Sequence, residues 1–307
     1  MAAGWNDFQL PRVSTHKLAR RGEEVLERIA RAGVTVPSDN RIARAVHAMD
    51  RLNDLCRSGR DVDPDDIERQ QILIEAHRLL VESLMIVVAR WERRTGPTTI
   101  TNGHLSALLD GSDLPRTDFD HPRNLQFEAY VGASLALSGL NVRYAEPDFV
   151  IDYYRSELGI AAKRLTSRKP ERLYDRLREA TNQLRDADRQ GYVAVNLDNW
   201  IDEPLRSEEP AEVGRQFVGE LGAAYRELAK VSSRPALNGA MIFASWNVWD
   251  FSGSRSRFAL RSAEQVVALT DDEQDVVKAT SLFAPAKARL RNSMREIGRL
   301  VAVDGSA

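Results

Sequence analysis

The tightest constraint on this chain is the crowding of three short β-like runs between Gly139 and Leu165. Residues 141–145, 149–154 and 159–165 each suit a strand, and the link from Arg155 to Leu158 predicts an antiparallel hairpin. A helix precedes them over 124–138, with Phe127, Val131, Ser134 and Ser138 on one face and Gly139 as its stop. Another follows over roughly 171–188, with Leu173, Leu177, Ala180 and Leu184 as its buried stripe. Gly191 then leads into an apolar strand over 192–197. The order is helix, three strands, helix, strand, so the fold class is α/β (α+β), with helices packed on a small sheet.

The first ninety-odd residues read as a helical bundle. Leu18, Val25, Ile29 and Ala32 share one face, and Ile42, Val46, Met49 and Cys56 share another after the capping candidates Ser38 and Asp39. A third helix is predicted from Asp63 as N-cap and Pro64 as first helical residue, with the stripe Leu73, Leu80, Leu84, Val87 and Trp91. Residues 95–123 carry turn signals around a short helix at 104–109. The domain boundary is set there: 1–118 helical, 119–307 the α/β unit with a C-terminal helical extension. Beyond residue 200 the pattern predicts a helix near 210–230, a strand over 239–246, and a helix opened by the capping box at Thr270-Asp271-Asp272-Glu273. Pro285 should break or kink that helix before a last one.

Composition narrows the chemistry. A hydrophobic fraction of 43% is enough for a core, and a net charge of −2 excludes a globally basic nucleic-acid coat. The single cysteine, Cys56, excludes an internal disulfide, and the scattered histidines argue against a histidine metal site. The most apolar run, 79–89, contains Glu82 and is too short to span a bilayer, and the opening residues lack a signal pattern. A soluble, cytoplasmic protein is expected, with no membrane partner.

Chemistry concentrates on the hairpin. Asp148 opens its first strand and Lys163 lies near the end of its second. Antiparallel pairing brings those ends together, and alternation puts 148, 150 and 152 on the same face as 159, 161, 163 and 165. Glu128 and Gln183 flank the apolar stripes of the two neighbouring helices, within reach of the same place. Carboxylates to hold Mg²⁺, and an ammonium near an attacking water and a phosphorane, are the residue types that phosphodiester cleavage needs.

Gln126-Phe127-Glu128, Pro147-Asp148, Ala161-Ala162-Lys163 and Ala180-Thr181-Asn182-Gln183, taken in order, resemble the motifs of the PD-(D/E)XK nuclease superfamily. The resemblance covers roughly residues 122–200 and implies a restriction-endonuclease-like αβββαβ core. It implies that Asp148 and Glu128 ligate Mg²⁺ or Mn²⁺, with the Ala162 carbonyl as a further ligand. Lys163 would orient or activate water, and Gln183 matches a feature of the recombination-nuclease branch. Ala161 stands where the family has an acid. Glu128, Glu179 and Asp152 are the candidate replacements; Asp152 should lie opposite Ala161 across the hairpin, but at four residues from Asp148, about 13 Å along a strand, it is the least placed to share an ion.

A basic stretch supports a phosphate partner. Between Lys163 and Arg178 the local charge is +5, and Arg164, Arg168, Lys169, Arg172 and Arg176 are the expected nucleic-acid contacts. The expected function is a metal-dependent nuclease acting on nucleic acid, DNA first, in phage defence or repair. The alternative is a catalytically inactive nuclease fold that binds nucleic acid or a partner protein. The helical domain would serve homodimerisation or a partner protein.

Overall fold

The structure, a computed structural model, describes residues 8–9, 14–59, 63, 66–92, 96–114, 120–153, 156–165, 169–198, 205–206, 236–250, 257–268 and 273–301. Three helices open it: α1 (Thr15–Arg31), α2 (Arg41–Arg57) and α3 (Ile67–Val87), the last continued by a π-turn at Val88–Glu92. Two of the predicted starts shift. Asn40, rather than Ser38 or Asp39, caps α2 by accepting the Ala43 N–H at 2.9 Å. Asp66, rather than Asp63, caps α3 by accepting the Arg69 N–H at 3.0 Å. In both cases several adjacent residues could cap, and the one next to the first buried turn takes the role.

A short α4 (Asn102–Leu109) leads to α5 (His121–Leu137), which starts on an Asp120 cap and stops at Gly139, where φ is 76°. The predicted strand–strand–strand–helix–strand order follows. It runs through β2 (Val142–Ala145), β3 (Asp148–Tyr153), β4 (Ser156–Arg164), α6 (Pro170–Asp186) and β5 (Gly191–Asn196). The sheet is larger than expected. It adds β1 (Phe8–Gln9), β6 (Leu205–Arg206), β7 (Leu237–Asp250) and β8 (Arg257–Ala268). Its order is β1-β8-β7-β5-β4-β3-β2, with β6 beside β7. β4, β5 and β7 run parallel, and the outer pairs are antiparallel. The last helix, α7 (Glu273–Val301), is one element running through Pro285, so the predicted break does not occur. The predicted 210–230 helix and residues 270–272 of the capping box lie outside the described residues.

Helices cover both faces of the sheet. A Cβ on Gly132 of α5 would stand 2.7 Å from the Phe149 ring, so α5 packs directly on the Phe149 face. Phe149, Ile151, Ile160, Ala162 and Ala194 on that face join one apolar cluster that runs from Leu18 in α1 to Val301 in α7. The cluster crosses the sequence boundary near residue 118; residues 115–119 themselves lie outside the described set. The opposite face carries α6: Leu184 would touch a Cβ placed on Gly159 at 2.6 Å. All four predicted stripe residues of α6 are fully buried there, beside Val150, Ala161, Val193 and Val195. The first and last helices meet, and the Ser14 N–H donates to the Val301 carbonyl at 2.7 Å. No helix among the described residues is long and apolar enough to cross a membrane.

Candidate active site

The hairpin register decides what Asp148 meets. Phe149 pairs with Ile160 and Asp152 with Glu157, so the next step along the ladder sets Asp148 opposite Ala161. The expectation that Asp152 faces Ala161 is therefore wrong by four residues, because residues 156–158 belong to the paired strand and not to the turn. Four is even, so each side chain keeps its face, and only its neighbour along the strand changes. Asp152 instead lies exposed at the far end of the hairpin, near Asn141 and Arg143.

Asp148 and Lys163 come together as the alternation requires. The Asp148 Oδ2 accepts the Ala162 N–H at 2.7 Å and lies 3.7 Å from the Lys163 Nζ. Both side chains are largely covered, at 12% and 13% exposure. Burial pushes the Asp148 carboxyl up to about 7. The charges of Glu128 and Glu146 add to that rise, and Lys163 with the Ala162 N–H offsets it only in part. Glu128 comes from α5, on the opposite side of the sheet, yet its charge is felt at Asp148. Of the three acids considered for the place of Ala161, Glu128 is the one whose charge reaches Asp148. Glu179 is exposed and pairs with Arg176 at 2.7 Å. Ala161 itself is fully buried.

Gln183 is half-buried on α6, beside the Leu184 that packs near Pro147 and Gly159. Its Oε1 is covered yet has no hydrogen-bond partner. An unmet buried acceptor is costly, and sites that receive a ligand are one setting where such groups persist.

Three residues of the site were missed by sequence reasoning: His104, Tyr144 and Glu146. His104 is 1% exposed. Its Nδ1 accepts the Thr101 N–H at 3.1 Å while the Thr101 hydroxyl accepts the His104 N–H at 3.2 Å. This capping box fixes the ring and leaves Nε2 to carry the proton, 3.8 Å from the Glu128 Oε2 and without a hydrogen bond. The Thr-x-x-His spacing was the available signal, with histidine at the place usually held by Glu or Gln. The Tyr144 ring stands edge-on to His104 at 4.7 Å.

The predicted basic patch divides. Lys163 and Arg164 are strand neighbours, so they must face opposite ways. Arg164 points into the α5 side, where burial lowers its affinity for a proton and Arg123 lowers it further. Lys169 and Arg172 are exposed at the start of α6, Arg176 is tied to Glu179, and Arg168 lies outside the described residues. Arg164 is thus not part of an exposed nucleic-acid surface.

The donors suit a magnesium-type ion. Mg²⁺ is commonly held by one or two carboxylates with water completing its shell, and Asp148 with Glu128 offers carboxylates whose charge the single ammonium does not balance. They do not suit an all-protein cage: among the described residues no group of three or more His, Cys, Asp or Glu could hold an ion. No family model matches the chain, and neither a curated protein nor a solved structure matches it.

Proposed function

We propose that the protein is a metal-dependent phosphodiesterase of the PD-(D/E)XK type acting on nucleic acid, DNA first, with the end of β3 and β4 as its active site. The observation that carries this reading is the Lys163 ammonium 3.7 Å from a mostly buried Asp148 carboxyl that other acids crowd. Asp148 and Glu128 would hold Mg²⁺ or Mn²⁺. In a strand the N–H and C=O of one residue point to the same neighbour, so the Ala162 carbonyl, whose N–H meets Asp148, is a further donor. When bound, the ion would polarise the phosphoryl group and balance the carboxylates.

The side chains have separate tasks. Lys163 places a positive charge where the phosphorane develops, in a partly water-excluded setting that strengthens it. Asp148 must be ionised to bind a cation, so activity should rise as pH passes through about 7 in the absence of metal competition. Gln183 offers an unmet carbonyl acceptor that can orient a water. Lys169 and Arg172 are exposed near by for phosphate contact.

One observation favours a second reading. Ala161 supplies no side-chain ligand, so the fold can bind nucleic acid or a partner protein without cutting. Incubating the protein with plasmid and with single-stranded DNA in Mg²⁺ or Mn²⁺ separates the two. Cleavage that Lys163→Ala lowers by 100-fold or so supports the enzyme. Equal behaviour of wild type and Lys163→Ala would end that reading.

A further inference from the structure

His104 is held from three sides. Its Nδ1 accepts the Thr101 N–H at 3.1 Å in the capping box that opens α4. Its ring lies over Phe149, with centroids 6.1 Å apart and planes 25° from parallel, and the Tyr144 ring meets it edge-on at 4.7 Å. Phe149 is fully buried and His104 is 1% exposed, so the ring is closely packed in place. Its other nitrogen is nevertheless unused. With Nδ1 accepting, the proton sits on Nε2, and that buried donor has no hydrogen-bond partner. A buried donor left unmet calls for a reason, and a part in a site that receives an ion is one. The Glu128 Oε2 lies 3.8 Å from it, less than about 1 Å beyond hydrogen-bond length. Glu128 is covered but keeps 16% exposure. Its charge is felt at Asp148, and the Tyr144 hydroxyl is raised by burial and then by the charges of Glu128, Asp148 and Glu146. The three acids therefore gather about the turn from β2 to β3, where Ala145 pairs with Asp148.

We infer that His104 is a positioning residue for the metal site, its Nε2–H holding one oxygen of the Glu128 carboxylate so that the other is presented to a divalent cation. This role rests on the proposed nuclease reading for the cation itself. His104 is not a ligand: Nδ1 is taken by Thr101 and Nε2 carries a proton, so neither offers a lone pair to a metal. A carboxylate on a helix can swing between rotamers, and a charge-assisted bond from a fixed ring removes that freedom. Ligating carboxylates are commonly oriented in this way by a neighbour that never touches the ion. Such a bond also satisfies the one polar atom of His104 that the fold leaves unmet.

The test is Mn²⁺ affinity, read by electron paramagnetic resonance on the full chain without nucleic acid. His104→Leu keeps the Thr101 hydroxyl as helix cap and should bind Mn²⁺ roughly tenfold more weakly than wild type. His104→Gln should bind within about threefold of wild type, because glutamine suits this place in a capping box and carries both an acceptor and a donor. In a Glu128→Ala background His104→Leu should cost nothing further, whereas a purely structural role would weaken binding in both backgrounds. Where His104→Leu does not fold, histidine-labelled wild type answers by NMR: the ring should carry its proton on Nε2, and that N–H should shift when Mg²⁺ is added. Equal affinity of wild type and His104→Leu, no rescue by His104→Gln, the same loss with and without Glu128, or an Nε2–H unmoved by Mg²⁺ would each overturn the assignment. Failure of the nuclease reading looks different: wild type then binds no Mn²⁺, or binds it equally well as Asp148→Asn, and both proposals fall together.

Discussion

Two groups of charged side chains lie at the same end of the sheet, one on each side of β4, and they are built on opposite terms. On the α5 side, Glu75 is almost fully buried between Arg78 and Arg123, each 2.6 Å away. Burial alone would raise its carboxyl, but Arg78, Arg123 and Arg41 outweigh burial and hold it at about 2. Arg78 also reaches Asp198 at 3.5 Å, and Arg41 bonds Gln126, which bonds Glu82. These contacts join the helical bundle to α5 and to the end of β5. On the α6 side, one ammonium meets Asp148 while the charges of Glu128 and Glu146 add to the effect of burial, and this carboxyl sits near 7. Glu75 is thus balanced by neighbouring cations and Asp148 is not, while Glu82, in the first group but with Asp198 beside it, is also pushed up to about 7 by burial. Burial is common to all three carboxyls, so the balance of cations and anions about each one sets where it titrates.

The comparison can be broken at several strengths. Arg123→Ala should cost most, about 3–5 kcal/mol, because it leaves Glu75 buried with less compensation. Urea unfolding checks this, and a loss below about 1 kcal/mol would show that the network is not what holds the bundle to the sheet. Asp148→Asn should act the other way. The folded Asp148 binds its proton up to about 7, above the usual carboxylate value, so the folded state holds more protons than the unfolded one between about pH 4 and 7. Wild-type stability from this group therefore falls as pH rises through that window. The asparagine variant should gain about 1–2 kcal/mol over wild type at pH 8 and nothing near pH 4, and a gain that does not vary with pH would contradict the assigned cause. Smallest is the metal effect. Mg²⁺ at tenfold excess over its Kd should stabilise wild type by about 1.4 kcal/mol and leave Asp148→Asn unmoved in a thermal melt. A shift equal in both would place the ion elsewhere.

The Asp148–Lys163 convergence was legible because alternation along a strand survives an even error in register. The four-residue slip at the hairpin moved Asp152 from Ala161 to Glu157 and left every face intact. The stripes of α5 and α6 were legible for a similar reason, since helical periodicity needs no partner to be read. What escaped depends on tertiary packing. β8 carries three Ala and two Arg in 12 residues, with weak strand preference, and its ladder with β7 sets its structure. Pro285 costs about 3 kcal/mol inside a helix. However, Leu282, Ala286, Leu290, Met294, Ile297 and Val301 are all buried along α7, and that burial outweighs the cost. His104 escaped because its role comes from a ring locked by its own helix cap, not from a cluster of like residues.

The bond between Ser14 and the carbonyl of Val301 has a consequence for how the molecule is made. α1 and α2 can form on the ribosome as local helices, but the surface that α7 covers stays bare until α7 itself has been made. Native closure therefore depends on pairing between segments almost three hundred positions apart, which favours slow, late completion and a spell of dependence on chaperones.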